Sequence, residues 1–273
     1  MAVSVVVFGA HPDDADLKAG GTAALWAGRG DRVLFVSLTS GDAGHMEMGG
    51  GALARRRRAE AAAAAAELGV DYHVCDHPDG RLEASLAVRQ EVIALIRRQE
   101  ADLVLLPRPW DYHPDHRETA RAVSDAAYMV TVPHIVPFVP HLRRNPVFAY
   151  VSDGFTRPCP FRPDVAVDVT TTAERKLAAL HRHTSQVYEW LPYNAGRLEE
   201  VPAGEEARRA YLRRYLERDA AQAAAAAPAL QRWYGADASA CRQAEAFEIC
   251  ELGRQPDDAE TRRLFPLPPA AGG

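Results

Sequence analysis

The first half of the chain alternates short apolar runs with longer stretches of helical character. Ser4-Val-Val-Val-Phe8, closed by Gly9, has the length and β-branching of a buried strand. A helix is predicted from Gly20 to Arg29, stopped by Gly30. Arg32-Val-Leu-Phe-Val-Ser-Leu38 predicts a second strand, and a glycine-rich loop follows from Gly41 to Gly51. Leu53 to Leu68 is dominated by strong helix formers and has Gly69 at its end. Tyr72 to Cys75 predicts a third, short strand. Ala84 to Gln99 places Leu86, Val88, Val92, Leu95 and Ile96 at amphipathic helical spacing. Leu103-Val-Leu-Leu106 is a fourth strand, stopped by Pro107 and Pro109, and Arg117 to Tyr128 is again helical.

Strands and helices alternating at intervals of roughly 30 residues build parallel sheets with right-handed crossovers. The predicted fold is therefore α/β: a Rossmann-like, doubly wound, mostly parallel sheet. Beyond residue 130 prolines interrupt the pattern, from Pro133 to Pro163. Val147 to Val151 and Val165 to Val169 predict late strands, and Thr172 to His183 and Glu205 to Ala225 predict helices. Ala238 to Leu252 predicts a last helix, and Pro266 to Gly273 a loose tail. The expected organisation is one domain. Residues 1–130 form the Rossmann-like core, and 131–273 form an α+β extension that shapes a pocket.

Composition excludes several classes. The 273 residues are 47% hydrophobic and 25% charged, enough for a sizeable core without disulfide staples. A net charge of −5 argues against a nucleic-acid partner bound through a broad basic face, and Arg55 to Arg58 is the only basic run. The four cysteines form no C-x-x-C pair, so they are expected to be reduced and mostly buried. No signal peptide is visible, and no stretch reaches the ~20 apolar residues that span a bilayer. A cytoplasmic protein without a membrane segment is expected, and the sequence is compatible with a homo-oligomer.

The chemistry-bearing residues cluster at strand ends. Ala10-His-Pro-Asp-Asp14 directly follows the first strand, and His113-Pro-Asp-His116 follows the fourth. In a Rossmann-like order these strands are neighbours, and ligands bind outside their carboxyl ends. The two His-Pro-Asp segments should thus share one crevice. Imidazole and carboxylate together suit Zn²⁺, Fe²⁺ or Mn²⁺, and three protein ligands with an open position mark a catalytic site. A single such segment would be ordinary turn and helix-cap chemistry, but two at adjacent strand ends favour a metal site. From spacing alone His113 is either a further ligand or a group beside the metal.

With these motifs in place, the sequence resembles the LmbE-like or PIG-L-type deacetylases. The resemblance extends to Thr39-Ser-Gly-Asp42, Arg57-Arg-Ala-Glu60, Asp79-Gly80, His183-Thr-Ser-Gln186 and Ala244-Glu-Ala-Phe247, from residue 3 to about 250. It implies Zn²⁺ as cofactor, with Fe²⁺ as the alternative, held by His11, Asp14 and His116. It implies Asp13 as general base and His113 as proton donor or oxyanion stabiliser. Arg57 would contact the substrate, with the register inside Arg55 to Arg58 open by one residue. Asp16 stands where the family more often has Glu. On the residues' own chemistry, Tyr112 is a candidate for binding the acyl group and Asp115 for orienting an imidazole. The partner implied is a small N-acetylated substrate, an amino sugar or glycoside, cleaved to acetate and a primary amine.

Weaker signals remain. Asp76-His-Pro-Asp79 is a third His-Pro-Asp: it could be a second metal site, but no partner ligand for His77 is visible in the sequence, and a turn with some substrate contact is the preferred reading. His45, in the glycine-rich loop, could reach the pocket, with an exposed surface histidine as the default, and His183 reads as a helix-end residue. Trp190, Tyr193 and Trp233 are either an aromatic wall for a sugar or packing. The rivals are a same-fold hydrolase of another amide or a phosphoester, and a nucleotide-binding Rossmann protein. The latter lacks G-x-G-x-x-G after the first strand and would set pyrophosphate against two carboxylates.

Overall fold

A computed structural model describes residues 2–269. In chain order the elements are β1 (Ser4–Gly9), α1 (Asp14–Arg29), β2 (Arg32–Thr39), α2 (Gly50–Leu68), β3 (Asp71–His77), α3 (Leu86–Gln99), β4 (Leu103–Leu106) and α4 (Pro114–Met129). There follow β5 (Val147–Val151), β6 (Val165–Asp168), α5 (Ala173–Arg182), α6 (Leu191–Asn194), α7 (Glu205–Tyr211), α8 (Arg214–Ala225), α9 (Ala227–Tyr234), β7 (Ala244–Ile249) and α10 (Asp258–Leu264). The strands form one sheet in the order β3-β2-β1-β4-β5-β7-β6. The strands β1 to β5 pair in parallel, and β7 runs antiparallel to both β5 and β6.

The side-chain period of two explains why the strands are continuous apolar runs. Val5 and Val7 join one core cluster with Trp26 of α1 and Leu68 of α2. Val6 and Phe8 join the opposite cluster with Val92 of α3 and Val123 of α4. The sheet is thus buried on both faces. β1 has β2 on one side and β4 on the other, so the chain winds away from β1 in both directions. The crevice above β1 and β4 is the switch point at which open α/β sheets bind ligands.

Several expected elements are corrected. α1 begins at Asp14 rather than Gly20, because the Asp14 carboxylate closes the turn after β1 and leads straight into the helix. The helix expected from Glu205 to Ala225 breaks between Tyr211 and Arg214. Ala238 to Leu252 is not a helix. Its centre is β7, inserted between β5 and β6. Alanine and glutamate favour helices, but here tertiary context wins. Ala244, Ala246 and Phe247 are fully buried, and Glu245 accepts the backbone N–H groups of Gly21 and Thr22. The tail from Pro266 is packed at its start: Leu267 lies against the core and Pro268 accepts a hydrogen bond from Arg262, while residues 270–273 lie outside the described residues. The cysteines are all free, but only Cys75 and Cys250 are buried. No helix among the described residues is long and apolar enough to cross a membrane.

Candidate active site

The turn after β1 is tightly built. A β-carbon on Gly9 would lie 2.6 Å from Cβ of Asp14, so this approach requires glycine. Asp14 Oδ2 accepts the backbone N–H groups of Ala10 and His11, each at 2.9 Å. Asp13 has φ 157° and ψ −21°, a conformation side chains rarely adopt. Such a residue costs about 1–3 kcal/mol and persists where its surroundings hold it. The holder is Arg57, which donates to Asp13 Oδ1 at 3.1 Å and to the Pro12 carbonyl at 3.0 Å. Gly41 makes room for that guanidinium: its φ is +66°, and a β-carbon there would meet Arg57 Nη1 at 2.4 Å.

Across the crevice, α4 starts from the second motif. Pro114 opens the helix and His113 caps it, Nδ1 accepting the N–H of Asp115 at 3.2 Å. In the neutral ring this places the proton on Nε2. His116 lies in the first turn. Three donor atoms then converge: His11 Nδ1 is 3.2 Å from His116 Nε2 and 3.6 Å from Asp14 Oδ2, and His116 Nε2 is 3.4 Å from Asp14 Oδ2. A tetrahedral ion with ligands ~2.0–2.2 Å away separates its donors by roughly 3.3–3.6 Å, so these three atoms fit a zinc-class ion with little movement. His113 also brings a nitrogen within 4.8 Å of nitrogens on His11 and His116.

Each ring's other nitrogen meets a carboxylate, the arrangement that fixes the tautomer of metal-binding histidines. His116 Nδ1 is 3.0 Å from Asp111 Oδ1. His11 Nε2 is 3.1 Å from Asp79 Oδ1 and 3.4 Å from Asp115 Oδ2. Asp115 is itself anchored by the N–H groups of Gly80 and Leu82. The imidazole that Asp115 sits beneath is His11.

The electrostatics describe a cage arranged around a cation. Burial disfavours charge on His11, yet Asp115, Asp14 and Asp79 raise its pKa well above the ordinary value. Burial likewise opposes Asp14 ionisation, but the His116 and His11 rings hold it far below the usual carboxylate range. Asp79 is brought down to about 2, burial being outweighed by His11. Asp13 behaves differently: burial pushes its pKa up, against the pull of Arg57. His113 is lowered, by burial and then by the neighbouring His11 and His116.

His11, Asp13, Asp14, Asp79, Asp111, His113 and His116 line an open crevice of about 540 Å³ that also includes Tyr112, Lys18, Arg218 and Trp190. Tyr112 is 75% exposed and lies edge-on at 5.8 Å to both His113 and His116. Among the four consecutive arginines only Arg57 is buried. Arg56 pairs with Glu189 and Glu60, Arg58 pairs with Asp76, and Arg55 faces solvent. His45 is not a free surface residue, because its Nε2 meets Glu189 at 2.7 Å. His183 is fully buried, 3.2 Å from Asp16 Oδ2. Trp190 stacks on Tyr193 at the crevice, while Trp233 is core, its Nε1 donating to Asp164. Asp111 escaped sequence reasoning, although its place two residues before His113 was a usable signal. The sequence marks Asp79 only through the supporting Asp79-Gly80 pair.

Residues 6–127, which carry both His-Pro-Asp motifs of the crevice, match the PIG-L family, described as GlcNAc-PI de-N-acetylase. The chain is 32% identical over 200 residues to the diacetylchitobiose deacetylase of Thermococcus kodakarensis, covering 67% of this chain and 72% of that relative. Its fold is similar to that of N,N'-diacetylchitobiose deacetylase from Pyrococcus horikoshii, with a TM-score of 0.68 at 22% identity over 91% of this chain and 84% of that one. It is also similar to GalB, the 4-carboxy-2-hydroxymuconate hydratase of Pseudomonas putida KT2440, with a TM-score of 0.71 at 24% identity over 94% and 99%. The hydratase shares the fold only, a reminder that one architecture hosts more than one chemistry. On the strength of the sequence matches, the chain belongs to the PIG-L family of GlcNAc-PI de-N-acetylases.

Proposed function

We propose that this protein is a metal-dependent de-N-acetylase that hydrolyses the acetamido group of an amino sugar. One observation carries the reading. His11 Nδ1, Asp14 Oδ2 and His116 Nε2 converge within 3.2–3.6 Å, beside a carboxylate, Asp13, that stays outside the triad. Zinc fits this nitrogen and oxygen set, and Fe²⁺ suits it as well. When bound, such an ion supplies polarisation of the amide carbonyl and acidification of the attacking water.

The protein's own groups do the rest. Asp13 accepts the proton of the attacking water, and its burial makes it a stronger base than an exposed carboxylate. Arg57 keeps that carboxylate aimed while its guanidinium faces the crevice. His113 is neutral in this setting, with Nδ1 committed to its helix cap. It therefore acts as a hydrogen-bond donor from Nε2 to the oxyanion that develops on the carbonyl. The proton held by Asp13 passes to the departing nitrogen as the C–N bond breaks, leaving acetate and a primary amine. Tyr112, at the mouth, covers the acyl side of the crevice. The Thermococcus relative named for diacetylchitobiose, 32% identical to this chain, supports a small N-acetylglucosamine oligomer or derivative as substrate.

The test is acetate and amine release from N,N'-diacetylchitobiose and N-acetylglucosamine, with chelator and with zinc restored. Release that stops with chelator and returns with zinc is the expected result. Release that is indifferent to chelator, or none from any N-acetylated sugar, would overturn the reading.

A further inference from the structure

Asp79 of the third His-Pro-Asp segment belongs to the crevice, but His77, two residues before it, adjoins a second cluster of side chains that could hold a metal, outside the crevice. β3 is the edge strand, hydrogen-bonded only to β2 among the described residues. His73 and Cys75 are two residues apart on it and so share a face. Glu91 of α3 lies over that face. A ring nitrogen of His73, the Cys75 sulfur and a Glu91 oxygen all lie within 4.8 Å of one another. His77 Nε2 holds the other end of the arrangement, 2.7 Å from Glu91 Oε2. None of these four residues lines the crevice.

We propose that His73, Cys75 and Glu91 form a second metal site, for a borderline-soft divalent cation of the zinc class, with His77 orienting Glu91. The donor set argues for the class of ion. A thiolate selects zinc over magnesium or calcium, and imidazole and carboxylate complete a mixed set that zinc accepts. The geometry argues for feasibility. Cys75 is buried and fixed by the sheet, while His73 is exposed and Glu91 is half-exposed, so the two surface ligands can turn inward to close the remaining distance. His77 fills the carboxylate-orienting place that Asp111 fills, with roles reversed, for His116. The ion would pin an edge strand, whose unpaired backbone groups are a liability, to the helix that follows it.

The crevice triad contains no sulfur, so cobalt(II) distinguishes the two sites. Thiolate coordination adds a near-ultraviolet charge-transfer absorption that nitrogen and oxygen ligands lack. On titration of the full chain with cobalt(II), that absorption is expected in the wild type and in Asp14→Ala, in which the crevice ligand set is broken. Cys75→Ser should abolish it, and Cys159→Ser should not. His77→Gln should weaken cobalt binding at this site about 10–100-fold, as loss of an orienting partner does elsewhere. His73→Asn changes an exposed position and keeps the test valid if Cys75→Ser folds poorly. It too should remove or greatly weaken the band. Absence of the absorption at excess cobalt, or its persistence in both Cys75→Ser and His73→Asn, would overturn the proposal.

Discussion

At the residue scale, much of the chemistry of this chain was legible because it is local. His11, Asp13 and Asp14 sit on one turn, His113 and His116 on another, and strand order brings the turns together. What was not legible depends on loops crossing the crevice. Asp79 reaches His11 from the far side of β2, and only the folded chain shows that contact. The register of the arginine run was equally hidden, because four like residues differ only in which face of α2 is buried. Asp111 provides a test of the supporting carboxylates. It anchors His116 through Nδ1, so Asp111→Asn should weaken ion affinity about 10–100-fold. Competition with a chromogenic chelator measures this. Unchanged affinity would show that His116 needs no such partner.

At the element scale, the central strands β1, β2, β4 and β5 are legible because burial on both faces leaves a nearly continuous apolar run, whereas the edge strand β3 is half exposed and only its middle is legible. β7 was misread because Ala-Glu-Ala-Phe carries helical propensity, and its buried glutamate makes sense only with distant partners. Those partners form a clamp. Lys176 of α5 places Nζ 2.9 Å from Glu245 of β7 and 2.8 Å from Asp219 of α8. Removing one member of a buried ionic group costs about 3–5 kcal/mol, since the others stay buried without compensation. Lys176→Met is expected to lose stability of that order in urea unfolding. A loss below ~1 kcal/mol would mean the clamp relaxes into solvent. The crevice wall is held by a similar device. Glu60 of α2 accepts from Thr184 and Ser185, and Arg56 pairs with Glu189. Together they fix the π-helical turn Ser185–Trp190 that carries Gln186 and Trp190 to the crevice.

At the scale of the whole molecule, ion binding at the proposed triad would be linked to the fold through protons. Burial alone would lower the pKa of His11 and His116. The carboxylates around them, chiefly Asp115 for His11 and Asp14 for His116, raise both instead. A raised folded-state value contributes stability that is complete below the unfolded imidazole value of ~6.5 and is lost as pH rises through the folded value. Chelated protein should therefore lose thermal stability as pH climbs above ~6.5. A bound divalent cation would replace those protons and bind more tightly over the same range, so protein loaded with the proposed ion should not show the loss. Melting curves across this range, with and without chelator, would contradict the account if both fell alike. The division of labour between Asp13 and Asp14 in the crevice is tested by zinc content measured beside turnover in Asp13→Asn and Asp14→Asn. Asp13→Asn should keep near-stoichiometric zinc and lose at least ~100-fold in kcat. Asp14→Asn should lose the zinc itself. Equal loss of zinc in both variants, or substantial turnover by Asp13→Asn, would contradict the account.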